Sequence, residues 1–394
     1  MYFDSVIMMT VQALFFLSLI VIAYAYLGYP MTLWCLAAFK MARPLDQKNP
    51  WLPRVSLLIS VYNEESIIEA KLRNSLKLDY PKELFEIIVL SDGSTDKTNG
   101  IVSRFANEGV KLRFYEGRIG KTACLNHAIR SVSGDIVIFS DANSMYPPQV
   151  VRALVGPFAD PTIGFVTGGT NYVSDGSGHM GESIGLYSRL ERLTKSLESR
   201  LGSCVGADGA MFAIRSSLFE PLDRADINDL VIPLRIVRAG FRGIYAADAF
   251  CIEVAAKETA REFDRQVRIA ARTIRAVMTQ RALLNPLVFG LFAFQLFSHK
   301  LCKLIVPFLL LSVMGCSFVL APFSEWYLFL MAVQVVLYTT AWITVRASRP
   351  RELGVVLSRL FNLFHSFIVV NVAIGVAWVR YWKGDTFTTW APAR

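Results

Sequence analysis

Between Val55 and Asn143 the chain repeats one pattern four times: a short apolar run, a polar cluster, then a stretch of helical character. Residues 55–60 lead into Val61-Tyr62-Asn63-Glu64-Glu65 and a helix expected to run to about residue 78. Residues 85–90 end in Ser91-Asp92-Gly93-Ser94-Thr95-Asp96, where Gly93 permits the turn and Ser94 or Thr95 can cap a helix. Residues 110–115 precede Gly120-Lys121-Thr122-Ala123-Cys124-Leu125-Asn126, and Val137-Ile138-Phe139-Ser140 runs into Asp141-Ala142-Asn143. Apolar runs of this length alternating with helices predict an α/β domain, with a parallel sheet covered by helices on both faces. In such sheets ligands sit beyond the carboxyl ends of the strands. Asn63 and Glu64, Asp92, Lys121 and Asp141 all fall at those ends, which predicts one shared cleft. Asp141 followed by an oxygen donor two residues on suits a hard divalent cation shared with phosphate oxygens. The alternative is a helix cap or Asx turn before Pro147-Pro148.

The ends of the chain impose a second constraint. Mean hydropathy is +0.40, and the excess is concentrated outside residues 49–281, a stretch of roughly 230 residues that suffices for one α/β core. Residues 6–39 are one apolar stretch, too long for a signal-peptide core, and residues 1–5 carry no basic residue. Spanning a bilayer takes about 20 apolar residues, so one tilted or kinked helix is expected there, broken at Gly28-Tyr29-Pro30. Lys40, Arg43, Lys48 and Arg54 follow, which places the domain in the cytosol by the positive-inside rule. Residues 285–303 read as an interface helix, and residues 304–321 and 326–345 as spans joined near Pro322. Arg346, Arg349, Arg351 and Arg359 are cytosolic by charge, and residues 361–378 form a last apolar stretch. Arg380, Lys383 and Arg394 then break the charge rule: either that helix does not fully cross or the tail is outside. The domains expected are thus an anchor over 1–48, a catalytic domain over 49–284 and a membrane region over 285–394.

The formal charge of +9 lies largely beside apolar segments and does not require a nucleic acid partner. Six scattered cysteines without a C-x-x-C pair, and four histidines without ligand spacing, predict neither a disulfide framework nor a zinc site. Residues 163–167 and 170–173 read as two strands, and 182–200 as an amphipathic helix with Leu186, Leu190, Leu193 and Leu197 on one face. That helix either packs on the sheet or lines an acceptor entrance. Gly206 and Gly209 let the Gly206-Ala207-Asp208-Gly209 backbone approach a ligand closely. Asp208 either binds a sugar hydroxyl or bonds its own backbone in a turn. Ile227-Asn228-Asp229 opens a helix through Arg238. Arg261, Arg265, Arg268, Arg272 and Arg275 recur at spacings of four and three, opposite an apolar face. A diphosphate, lipid headgroups or water alone would compensate such a stripe.

Taken in order, Tyr62-Asn63-Glu64, Ser91 to Asp96, Gly120-Lys121 with Leu125-Asn126, Asp141-Ala142-Asn143, Gly206 to Gly209 and Asn228-Asp229 resemble the motifs of family-2 glycosyltransferases of GT-A (Rossmann-like) fold. The flanking apolar helices resemble those of hyaluronan-, chitin- and cellulose-type synthases. The resemblance implies that Asn63 and Glu64 line a nucleotide pocket, that Asp92 accepts a hydrogen bond from the base, typically uracil, and that Lys121 lies beside the nucleotide. It implies a divalent metal, Mn2+ or Mg2+, on Asp141, with Asn143 in place of the family's second carboxylate. Gly206, Asp208 and Arg265 would face the acceptor. Asp229 falls on the catalytic-base position, with Arg235 in register, although an Asp at a helix start also serves as an N-cap. Arg268 aligns with the arginine of the synthases' Q-x-x-R-W, while Ile269 stands where they carry tryptophan.

These readings predict an inverting transferase in the inner or plasma membrane, multi-pass, with its catalytic domain cytosolic. Its partners would be a nucleotide sugar (UDP-linked), a glycan or lipid-linked acceptor, membrane lipid, and further subunits or copies of itself. The rivals are single-sugar transfer to a lipid carrier and a non-catalytic, nucleotide-sensing membrane subunit.

Overall fold

The computed structural model describes residues 2–39, 51–173, 180–254, 259–347 and 355–387. Lys40, Arg43, Lys48, Arg349, Arg351 and Arg394 lie outside the described residues, as do the side chains of Ser5, Leu186, Arg261, Arg346 and Arg359. The chain divides into two compact units. One comprises Met1–Thr32, Lys257–Val277 and Phe294–Asp385; the other comprises Leu33–Ala256, Met278–Ala293 and Thr386–Arg394.

The second unit is built on a seven-stranded sheet. Its strands are β1 (Val55–Val61), β2 (Phe85–Asp92), β3 (Val110–Tyr115), β4 (Ile136–Asp141), β5 (Ile163–Val173), β6 (Met211–Arg215) and β7 (Arg242–Val254). Their order is β3-β2-β1-β4-β6-β5-β7. β1 is buried at every position and pairs in parallel with β2 and β4. The pattern of apolar run, polar turn and helix therefore produces the parallel half of the sheet. The far half differs: β6 enters antiparallel to both β4 and β5, while β5 and β7 pair in parallel. The two strands expected over 163–173 are one strand with a register shift between Thr167 and Gly169. Gly168 explains the irregularity, because a Cβ there would stand 2.4 Å from the Ala249 carbonyl oxygen.

Met180–Leu201 is helical, as expected for 182–200, but its leucine stripe is only partly the buried face. Leu197 is buried and Leu193 half exposed, while the polar Thr194, Lys195 and Glu198 are buried beside Leu197. The reason is polar: Glu198 Oε2 accepts the Val205 N–H at 3.1 Å and so fixes the turn that follows the helix.

The amino end of the sheet is closed by Glu86. Its carboxylate accepts from Ser56 Oγ at 2.5 Å, Lys111 Nζ at 2.7 Å and the Ser133 N–H at 2.7 Å. Gly134 lies hard against Ser56, whose Oγ accepts the Gly134 N–H at 2.9 Å. Burial disfavours the Glu86 charge, but the three donors outweigh it and hold the carboxyl down at about 2.

The other unit is helical. The break expected at Gly28-Tyr29-Pro30 is a π-helical turn, Tyr24–Gly28, between helices Tyr2–Ala23 and Tyr29–Ala38. Widening by one residue lets the helix run on past Pro30, which has no N–H to give. A second π-helical turn, Phe297–Leu301, sits between helices Leu291–Leu296 and Cys302–Leu320. The interface helix expected over 285–303 is divided: its first part, the single turn Pro286–Phe289 ended by Gly290 with a φ of +50°, belongs to the sheet-bearing unit. Polar side chains join the helices within the helical unit. Tyr24 and Ser298 hydroxyls lie 2.8 Å apart, Ser18 donates to Ser312 at 3.1 Å, and Trp378 Nε1 donates to the Leu304 carbonyl at 2.9 Å. Val6–Ala38 and Leu291–Phe323 are long and apolar enough to cross a membrane. Phe16, Ile20, Phe318 and Trp326 are exposed along the helical segments.

Glu86 generates a pH test. Its folded carboxyl titrates below the ordinary value, so its contribution is present above about pH 4.5 and disappears as pH falls toward about 2. Glu86→Gln should lower stability at pH 7 by about 2 kcal/mol, the range of hydrogen bonds to a charged group. The difference in thermal unfolding between variant and wild type should shrink from about pH 4.5 downward and close only near pH 2.

Candidate active site

The carboxyl ends of β1, β2 and β4 lie side by side because the register pairs Val61 with Ser91 and Ser60 with Asp141. The turns leaving these strands are interlocked. Asn63 adopts a left-handed φ of +50°, which asparagine tolerates. Its N–H donates to Ser94 Oγ at 3.1 Å and its Oδ1 accepts the Thr95 N–H at 2.8 Å. Glu64 donates its N–H to Thr98 Oγ1 at 2.8 Å. Asn63 and Glu64 therefore tie the β1 turn to the β2 turn. Above them the Arg118 guanidinium stacks 3.7 Å over the Tyr62 ring.

Asp92 is fully buried at the end of β2. Oδ1 accepts the N–H groups of Ile119 at 2.8 Å and Gly120 at 2.9 Å, which sets the entry to helix Lys121–Ala128. Oδ2 has no hydrogen-bond partner. A buried carboxylate oxygen left open is costly unless a ligand supplies the donor. Gly93 is required beside it: φ is +69°, and a Cβ would stand 2.4 Å from the Gly117 carbonyl oxygen.

Lys121 Nζ lies 2.6 Å from Asp141 Oδ1, so these two predicted site residues meet directly. Oδ2 of Asp141 stays available, and Asn143 contributes an amide oxygen two residues on. Carboxylate and amide oxygens two residues apart are the hard donor types that a divalent cation takes, and other ligands would have to fill its remaining positions. Among the described residues no group of three His, Cys, Asp or Glu side chains could hold a metal by itself. Such a cation would therefore depend on those other ligands.

A second cluster joins Gly206–Gly209 to Asp229, in the first turn of helix Asn228–Arg238. The Ala207 N–H donates to the Asp229 carbonyl at 2.8 Å. A Cβ on Gly209 would stand 2.8 Å from Asp229 Oδ2, so glycine there makes room for the carboxylate. Asp208 takes the turn-forming alternative. Its Oδ1 accepts the Ala210 N–H at 3.1 Å, and both carboxylate oxygens lie 3.0 Å from Thr170 Oγ1. Arg235 ties the 220–226 segment to this helix, donating to the Pro221 carbonyl at 2.7 Å and to Asp226 Oδ2 at 3.3 Å. Arg265 and Arg268 lie on helix Thr259–Thr279, largely in the helical unit.

Two buried lysines escaped the sequence reading. Burial works against the charge of Lys195, but Asp208, Glu191, Cys204 and Asp229 outweigh it and raise the pKa. Lys71 has the opposite outcome: burial pushes it down to about 7 against the pull of Cys251, Asp141 and Glu253. One signal for Lys71 was available. Ile68, Lys71, Leu72 and Ser75 fall on one helical stripe, and all four are buried.

The sequence model of glycosyl transferase family 2 matches residues 56–222. A probable glycosyltransferase, YdaM, of Bacillus subtilis (strain 168) is 28% identical over 201 residues, 48% of this chain and 48% of that protein. An N-acetylglucosaminyltransferase of Rhizobium meliloti (strain 1021) is 26% identical over 353 residues, 82% of this chain and 81% of that protein. The chain thus spans about half the length of the Bacillus relative. Among solved structures, the mannosyltransferase PcManGT from Pyrobaculum calidifontis, in complex with GDP-Man and Mn2+, matches with a TM-score of 0.70. It is 22% identical, and the match covers 94% of this chain and 100% of that one. The parallel half-sheet, its polar strand ends and the family match agree: residues 56–222 are similar to glycosyl transferase family 2, and the domain has a GT-A fold.

Proposed function

We propose that the protein is an inverting glycosyltransferase, moving a sugar from a nucleotide donor to a glycan or lipid-linked acceptor at the cytoplasmic face of a membrane. The observation that carries this reading is the convergence of Asp92 and the Lys121–Asp141 pair at the carboxyl ends of adjacent parallel strands. The open Oδ2 of Asp92 would accept the imino hydrogen of the base, uracil in the first instance. Asp141 and Asn143 would hold the Mn2+ or Mg2+ that neutralises charge on the diphosphate. Lys121, already on Asp141, is placed to add its charge to the same phosphates. Asn63 and Glu64 would line the nucleotide pocket through the turn they stabilise.

Asp229 is assigned as general base. Its carboxylate takes the proton of the acceptor hydroxyl, whose oxygen attacks the anomeric carbon; the bond from that carbon to the diphosphate oxygen breaks, and the nucleoside diphosphate leaves. Gly206 and Gly209 keep the backbone clear for the acceptor, with Asp208 supporting the loop and Arg265 on the acceptor side. Arg268 is assigned to the departing diphosphate. The match to a relative named N-acetylglucosaminyltransferase over most of both chains supports an amino-sugar donor. Ile269, where synthases carry tryptophan, favours short products or single-sugar transfer over a long polymer.

The deciding experiment incubates the full chain in detergent with a panel of nucleotide sugars and follows nucleoside diphosphate release and product size. Release with no donor would overturn the reading. Asp229→Asn should keep nucleotide binding and lose turnover by about 10²–10⁴-fold, the usual contribution of a positioned base. Asp141→Ala should lose metal-dependent nucleotide affinity, read by calorimetry with and without manganese.

Orientation is tested separately. Single-cysteine labelling in intact cells should find Ser5 accessible and residues 346–359 protected. The opposite pattern would place the domain away from cytosolic nucleotide sugars.

A further inference from the structure

Lys71 belongs to none of the motifs that define the site, yet it is completely buried in helix Ile68–Leu76. Its ammonium donates to the Ser144 carbonyl at 2.5 Å and sits 3.8 Å from the centroid of the Tyr146 ring. Both contacts are to uncharged groups. A buried ammonium held this way is expensive, and a methionine of similar length would fill the space without that penalty. Stability therefore does not account for a lysine here.

Its contacts lead in two directions. Ser144 directly follows Asn143, and its N–H donates to the Asp141 carbonyl at 3.4 Å, so the residue whose carbonyl Lys71 holds also closes the Asp-Ala-Asn turn. Ser144 is held from its other side as well, its Oγ donating to Glu253 Oε1 at 2.6 Å. Tyr146 leads toward Asp229. Its backbone is clamped by Asn74, which accepts the Tyr146 N–H and donates to its carbonyl, both at 2.8 Å. With the backbone fixed and the ring against Lys71, the hydroxyl donates to the Ala210 carbonyl at 2.9 Å. Ala210 follows Gly209, the residue against which the Asp229 carboxylate lies.

We propose that Lys71 is a positioning residue that holds the Asp141–Asn143 turn from beneath and, through the Tyr146 ring, sets the Gly206–Gly209 loop against Asp229. The donor-side and base-side halves of the site thereby share one buried support. This rests on the glycosyltransferase reading of Asp141 and Asp229 above. The two halves have separable signatures. Lys71 touches the donor-side turn directly, whereas the Tyr146 hydroxyl makes its short bond, 2.9 Å, to the base-side loop at Ala210 and only a 3.5 Å contact to the Phe139 carbonyl of β4.

The test uses the full chain in detergent, with UDP and GDP as probes in parallel, manganese titrated by calorimetry, turnover on the donor found active, and thermal unfolding. Lys71→Met should still fold, because losing the desolvation cost of the buried amine offsets part of the cost of leaving the Ser144 carbonyl without its donor. Its manganese-dependent nucleotide affinity should fall about tenfold, the effect typical of a residue supporting a metal ligand, and kcat should fall with it. Tyr146→Phe, which removes only the hydroxyl, should keep that affinity and lower kcat about tenfold. A purely structural lysine would move the melting temperature and leave affinity and kcat alone. Wild-type affinity and kcat in Lys71→Met overturn the proposal. If Lys71→Met does not fold, Tyr146→Phe decides: a selective fall in kcat supports the support column, and wild-type kcat overturns it. Asp141→Ala, run alongside, separates the two levels. Unchanged affinity there would sink the reading of the site, and the proposal with it; lost affinity there with wild-type behaviour in Lys71→Met would sink the proposal alone.

Discussion

Parallel pairing of β1 with both β2 and β4 is the constraint on which the site depends. Parallel strands in register end on the same side, so the residues that follow them must share a surface. Val61 opposite Ser91 and Ser60 opposite Asp141 put three polar turns within reach of one another. The glycines and caps then act locally. Gly93 allows the β2 turn to pass Gly117, and Asp92 holds the Ile119 and Gly120 N–H groups. Lys121 is thereby delivered to Asp141. Sheet register thus precedes side-chain chemistry, and no single motif could form the site without it.

The parallel half of the fold was legible because β1, β4 and most of β2 are buried on both faces and written as apolar runs, with the more exposed β3 at the edge. The strand over 110–115 and the helix beginning at Asn228 have the extents expected. The antiparallel half was not legible. β6 has only five residues and is recognisable as a strand through its partners β4 and β5, which no local pattern encodes. Residues 163–167 and 170–173 read as two strands, whereas they are one strand with a register shift at Thr167/Gly169. The helix over 180–201 misled for a related reason. Apolar periodicity assumes that buried means apolar, and here Glu198 and Lys195 are buried because each has electrostatic work to perform. Lys71 fell to the same assumption, although its stripe with Ile68, Leu72 and Ser75 marked it as internal.

Charged groups at the two ends of the sheet serve different ends, and their hydrogen bonding separates them. At the amino end Glu86 meets Ser56, Lys111 and the Ser133 N–H. Such a carboxylate, shielded and satisfied, contributes to stability. At the carboxyl end Lys121 and Asp141 keep 20% and 39% of their side-chain surface exposed. A pair that exposed is worth at most about 1 kcal/mol, too little to explain placing two charges at the ends of buried elements. Asp92 Oδ2 and Asn228 Nδ2 are buried there without partners. Atoms of that kind oppose folding.

A chain selected for stability alone would replace such groups with apolar side chains, as cores generally tolerate. Their retention on one edge has a physical reading. Transferring a sugar from a diphosphate creates negative charge on the leaving group and moves a proton off the acceptor, and both changes are eased by dipoles and charges fixed beforehand. Preorganisation requires that the protein, and not the arriving ligand, bear the expense of desolvating those groups. On the proposed function, burying Asp92 against the Ile119 and Gly120 N–H groups and Lys71 against the Ser144 carbonyl would do this. The amino end, where Glu86 is held by three donors, contributes stability that offsets the cost of a buried acceptor left open at Asp92.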